Sequence, residues 1–126
     1  MSGLDLPKVG GPMLKADGSY QDHALSVRLS GTADLETKAE LDALVKKMHE
    51  EAMRLGATKV SVDFRELEFM NSSCFKIFVA WLAQVQELPP DKQYRIHLLS
   101  NPNLHWQRRS LAALSCFAVD LVAIET

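Results

Sequence analysis

Two hydroxyls and a thiol, Ser72-Ser73-Cys74, stand directly behind Asn71 at the point where a strand-like segment gives way to an apolar run of helical length. The first N–H groups of a helix lack intrahelical partners, and the positive end of the helix dipole lies beside them. A serine there either caps the helix with its side-chain oxygen or offers a place where added negative charge is tolerated. A thiol at such a place can ionise more readily and act as a nucleophile or redox sensor, whereas burial as a small apolar residue is the competing role of Cys74. No histidine or carboxylate can be set beside these groups by spacing, so neither Ser72 nor Cys74 has an identifiable base for nucleophilic catalysis. Asp63 falls on the same strand face as Ser61, with a strand-end turn carboxylate as its default role.

The rest of the composition narrows the classes. Cys74 and Cys116 form no C-x-x-C pair, and His23, His49, His97 and His105 lack ligand spacing, so neither a metal nor another cofactor is expected. The net charge of −2 and the absence of a basic block argue against nucleic acid or an anionic membrane as partner. The longest apolar run, Ile77 to Ala83, falls far short of the ~20 residues of a membrane span. Residues 1–11 carry no secretory signal pattern, and a cytoplasmic protein with reduced thiols is expected. The chain of 126 residues fits one domain, with 1–11 as a flexible arm and 12–126 as the folded part.

The elements that must hold the Asn71–Cys74 turn follow from periodicity. Pro12 to Leu29 reads as a β region with turns at Asp17-Gly18 and Asp22-His23, its clearest strand being Leu25 to Leu29, ended by Gly31. Leu35 to Leu55 carries apolar residues at Leu41, Leu44, Val45, Met48, Ala52 and Leu55, one face of a helix. Asp34 or Thr32 is its expected N-cap, Gly56 its C-terminal stop, and Lys46, Lys47, Glu50, Glu51 and Arg54 its solvated face. Lys59 to Asp63 is the next strand. The helix after Asn71 is apolar around most of its circumference, which demands cover on nearly all sides or leaves a patch for a partner. Trp81 is expected in the core, or as an interface anchor if that patch is open. Pro89-Pro90 stops this helix, Tyr94 to Leu99 forms a strand, Leu104 to Leu114 a short helix and Leu121 to Ile124 a last strand. Strands alternating with helices give an α/β domain with a partly parallel sheet.

In that setting two segments resemble landmarks of the STAS domain family, particularly the bacterial anti-sigma factor antagonists. Val27-Arg28-Leu29-Ser30-Gly31-Thr32-Ala33-Asp34 is similar to the family's R-L-x-G-x-x-D at a strand end. Val60 to Phe64 followed by Leu67-Glu68-Phe69-Met70-Asn71-Ser72-Ser73 is similar to an L-D-L strand and an F-M-D-S-S-G-L segment. The resemblance spans roughly Leu25 to Ile124. It implies a single domain with a mixed sheet of about four to five strands and helices packed on one side. It further implies a non-enzymatic regulatory module, with Ser72 as the phosphorylated serine and Ser73 as runner-up. The implied partners are an anti-sigma factor that is also a serine kinase, with ATP bound by that partner, and a serine phosphatase. The implied docking face comprises Thr32, Asp34, Asn71, Ser72, Ser73, Cys74 and Phe75. Asn71 stands where the family usually has Asp, and Cys74 where it has Gly; Asn retains the capacity to cap. The alternative reading is a STAS scaffold or transporter-accessory subunit whose serine is not a switch.

Overall fold

The computed structural model describes residue 6 and residues 9–126. Six strands, β1 (Val9–Gly10), β2 (Leu14–Gln21), β3 (Ala24–Ala33), β4 (Lys59–Met70), β5 (Arg95–Leu99) and β6 (Val122–Glu125), form one sheet in sequence order. β1–β2 and β2–β3 pair antiparallel, and β3 to β6 are mutually parallel. Each parallel step is bridged by a helix: α1 (Lys38–Leu55), α2 (Ser72–Gln86) and α3 (His105–Phe117). The α/β class with a mixed sheet is as expected, with six strands where four to five were anticipated.

The extra strands have local causes. The expected turn at Asp17-Gly18 is absent, because Asp17 and Gly18 pair with Arg28 and Val27 inside a continuous hairpin. The reversal sits at Asp22-His23 alone, where both residues take positive φ (54° and 63°), as a two-residue hairpin of primed type requires. Val9 and Gly10, expected within a flexible arm, pair with Ala16 and Lys15, and Val9 is buried. The remaining part of that arm, residues 1–5, 7 and 8, lies outside the described residues.

Nor does β3 end at Gly31, as its sequence suggests. The strand runs to Ala33, and Gly31 sits inside it at φ +96° beside a register shift against β4. Through the same irregular ladder β4 continues past Asp63 to Met70. Helix α1 begins at Lys38 rather than Leu35. Asp34 accepts hydrogen bonds from the N–H groups of Glu36 and Thr37 (3.0 and 3.3 Å), so it closes a turn ahead of the helix instead of capping it. Thr37 is the N-cap residue. At the other end Gly56 takes the left-handed conformation, and Ala57 N–H donates to the Ala52 carbonyl at 2.9 Å, the closing bond of a Schellman motif. Glu51, expected on the solvated face, is buried and bound bidentately by Arg54 (2.6 and 2.8 Å).

Alternation places Leu25, Val27, Leu29, Val60, Val62, Phe64, Ile96 and Leu98 beneath the helices, all buried. Ser26, Arg28, Ser61, Asp63 and His97 fall on the opposite, helix-free face. Helix α2 lies between α1 and α3. Its residues Cys74, Ile77, Phe78, Trp81, Leu82 and Val85 are buried, with Phe75 and Val79 half-buried, so the apolar circumference is covered rather than displayed. Trp81 is a core residue, linked edge-on to Phe78, which meets Phe64 in the same way.

One polar network runs through this core. The Trp81 indole N–H donates to the Tyr94 hydroxyl (2.7 Å), and that hydroxyl lies 2.6 Å from His49 Nδ1. Indole can only donate, so the phenol oxygen is its acceptor, and the phenol proton remains available for Nδ1 of a neutral His49 ring. Burial lowers the His49 pKa, partly opposed by the Glu50 charge, and burial raises that of Tyr94. In the unfolded chain His49 takes up a proton near pH 6.5, and in the folded chain only at lower pH. The stability held by this network is therefore complete above pH 6.5 and is lost as pH falls through the lowered folded value. Thermal unfolding followed between pH 7.5 and 5 should show a decline in Tm that is shallower in His49→Gln, whose side chain can accept without titrating.

Candidate functional site

The turn of interest forms at the C-terminal ends of two adjacent parallel strands. Ala33 is paired with Met70, and the Asn71 N–H donates to the Ala33 carbonyl at 2.9 Å. The loop after β3 (Asp34 to Thr37) and the start of α2 are thereby held side by side. Crevices at this end of parallel strands are where open α/β sheets gather functional groups.

Asn71 is in extended conformation (φ −78°, ψ 169°), and its side-chain oxygen accepts from the Cys74 N–H at 2.9 Å. The cap of α2 is thus the Asn71 amide, an arrangement open equally to Asp. Ser72 occupies the first helical position with its side chain exposed, and its hydroxyl bonds to no other described residue. Ser73 is half-buried behind it.

Cys74 turns the other way. Its side chain is fully buried, and its S–H donates to the Asp34 carbonyl at 3.4 Å. Burial foremost, and the nearby Asp34 charge, raise the thiol pKa, with Lys38 opposing. Burial and a raised pKa both disfavour the exposed thiolate that a nucleophile or redox sensor needs. The buried Cys74 side chain also cannot contact a partner, which removes it from the expected docking face and makes it the pin between α2 and the loop after β3. Thr32, Asp34, Asn71, Ser73 and Phe75 are all half-buried around the exposed Ser72.

Two exposed apolar residues lie near the expected face. Leu35 is 71% exposed in the loop after β3, and Phe69, opposite Thr32 in the sheet, is 48% exposed two residues before Asn71. Large apolar side chains left in water next to a free hydroxyl are the ordinary anchors of a protein interface. The signal for Phe69 was its place in a strand outside the alternation, since Leu67 and Met70 are both buried. Leu35 gave none, because it reads equally well as the first apolar residue of α1.

The approach to the turn is held from beneath by Gln107 on α3, a fully buried residue. Its amide N–H2 donates to the carbonyls of Phe64 (2.5 Å) and Leu67 (3.1 Å), and its oxygen accepts from the Asn101 N–H (2.7 Å). Asn101 in turn donates to the Arg65 carbonyl at 3.2 Å. On the open face Arg65 binds Asp63 bidentately (3.0 and 2.8 Å), and that pairing holds the Asp63 carboxyl below its usual range. Asp63 and Ser61 line one shallow depression with Arg28, so this carboxylate belongs to the helix-free face and not to the Ser72 turn. Among the described residues no group of three or more His, Cys, Asp or Glu is placed to hold a metal, and no helix is long and apolar enough to cross a membrane.

The fold has relatives. Among solved structures, an anti-sigma factor antagonist from Mycobacterium paratuberculosis superposes with a TM-score of 0.65 at 15% identity, over 93% of this chain and 90% of that one. The NMR structure of the protein TM1081 superposes with a TM-score of 0.60 at 17% identity, over 86% and 79%. At these identities the likeness is one of fold. No curated protein sequence matches the chain. The family model described as "Mlab, STAS domain" matches residues 18–91, from the middle of β2 through α2 to the loop before β5, and so includes both loops of the site. The chain is a member of the STAS domain family.

Proposed function

We propose that this protein is a non-enzymatic, cytoplasmic regulatory module that binds an anti-sigma factor or a related kinase-like regulator and is released from it by phosphorylation of Ser72. The carrying observation is the exposed, unbonded Ser72 hydroxyl at the first turn of a helix that Asn71 already caps. A phosphate there adds a charge of about −1.5 to −2 and strong acceptor oxygens. The helix N-terminus tolerates that charge within the module. A partner seated on Leu35, Phe69 and a neutral Ser72 meets desolvation and repulsion instead, so release needs no refolding. Ser73, half-buried, is the poorer acceptor. Thr32, Asp34, Asn71 and Phe75 frame the docking face, the partner supplies the ATP, and a serine phosphatase resets the switch.

The test pairs chemistry with binding. Incubation with ATP and a serine kinase of the anti-sigma factor class should label Ser72, as mapped by mass spectrometry. Ser72→Asp should weaken partner binding by about 100-fold, on the order of 2.7 kcal/mol, while Ser72→Ala binds as the wild type does. No label together with equal affinity of Ser72→Asp removes the switch. The second reading, a scaffold or transporter-accessory subunit, is favoured by Asn71 and the buried Cys74, which serve structure here. Assembly retained by both Ser72 variants would select it.

A further inference from the structure

The two edges of the sheet are unlike. On one side β1 has only two residues, which blunts that edge, whereas β6 ends the other side with four. Natural edge strands are usually protected by lysine, proline or a bulge. Val122-Ala123-Ile124-Glu125 has none of these, and its one charge, Glu125, is paired with His97 on the helix-free face. The bonds from Ile96 N–H to the Leu121 carbonyl and from Ser100 N–H to the Glu125 carbonyl (both 2.8 Å) set the alternation along β6. Leu121, Ala123 and Glu125 turn their backbone groups toward β5. Ile124 turns its N–H and carbonyl outward, as Val122 does its carbonyl, since Val122 N–H is taken by the Ala118 carbonyl at 3.0 Å.

Beside this open backbone lie apolar side chains. Val122 and Ile124 pair with Ile96 and Leu98, so they stand on the helix side of the sheet. Phe117 at the end of α3 and Val119 in the turn leading to β6 are exposed, and Ile124 is 38% exposed.

We propose that β6 is a self-association edge, where a second copy of this chain adds its own β6 antiparallel across a two-fold axis at Ile124. The register is set by the backbone. Ile124 opposite Ile124 exchanges two N–H to carbonyl bonds, and Thr126 N–H donates to the Val122 carbonyl of the other copy, twice by symmetry. Glu125 then faces Ala123, so no like charges are opposed, while Ile124, Phe117 and Val119 of the two copies share one apolar strip. The product is a continuous twelve-stranded sheet, two copies of the six-stranded one. It leaves the Ser72 face, on other elements, uninvolved, so this inference stands or falls apart from the proposed switch.

So small a contact makes a weak dimer, with Kd of about 10–100 µM. Sedimentation velocity of the purified chain should show mass rising toward two chains over that range. Ile124→Lys, at a 38% exposed edge position, should remain a single chain that still unfolds cooperatively. In a Cys116→Ser background, Ile124→Cys should form a disulfide-linked dimer on mild oxidation, because Cα atoms of such a pair lie about 5.5 Å apart. A single-chain mass up to about 1 mM, a dimer that survives Ile124→Lys, or a dimer that Ile124→Cys does not link would each overturn the proposal.

Discussion

Gly31→Ala is expected to destabilise the domain by about 3–5 kcal/mol, lowering Tm by roughly 10–20 °C. Two costs act together. At φ +96° a residue with a side chain is strained whatever surrounds it, by about 1–2 kcal/mol. A Cβ here would also lie 2.0 Å from the Met13 carbonyl oxygen, a backbone atom that moves only if the chain ahead of β2 moves. That displacement breaks the bond from Thr32 N–H to the same carbonyl (2.7 Å), which closes the β2–β3 pairing at its end. Gly56→Ala provides the control: it too has positive φ, but nothing crowds its missing side chain. It should cost only the conformational part, about 1 kcal/mol. Thermal and urea unfolding of the two variants side by side would check the difference, and equal losses would refute the crowding argument.

Gln107→Leu should cost about 3 kcal/mol although it replaces a buried polar side chain with an apolar one of similar size. The loss lies in what remains behind: the carbonyls of the buried Phe64 and Leu67 lose a partner without exposure to water, and the N–H of half-buried Asn101 loses its acceptor. Gln107→Glu separates the effects. Its carboxylate can still accept from Asn101 but faces two carbonyl oxygens, so this variant should gain stability as pH falls toward the protonation of the acid. Because Gln107 braces the part of β4 that leads to Asn71, both variants should also weaken partner binding more than any exposed substitution on α3 does. Urea titrations at pH 5 and 8, with binding measured in parallel, would test this.

The parts of the fold legible in the sequence are those where one period dominates. The Leu41 to Ala52 stripe, the left-handed stop at Gly56 and the Tyr94-Ile96-Leu98 alternation each have a single physical reading, and the structure bears them out. The misread places are those where a partner overrides a local preference. Asp17-Gly18 is turn chemistry, yet the facing strand supplies every bond the backbone needs. Gly31 does mark a special conformation, but inside a strand rather than beyond its end. Gln107 occupies a regular slot in the Leu104, Leu111, Leu114 series, and only its polarity hid it from an apolar count. At the site, the position of Ser72 at a helix start was readable because capping is local. The inward turn of Cys74 depends on Asp34, 40 residues earlier, and no local pattern encodes it.

The division of work between Asn71 and Ser72 has a consequence for cellular signalling. Since α2 is capped by the amide of Asn71, its cap does not depend on the hydroxyl that follows, and a negative charge there suits the positive end of the helix. Proteases and chaperones, which respond to the unfolded fraction, would meet the same protein before and after modification. Under the proposed switch, a mark at Ser72 would therefore alter occupancy without altering abundance. Erasing the mark returns the original pool at once, with no need for new synthesis.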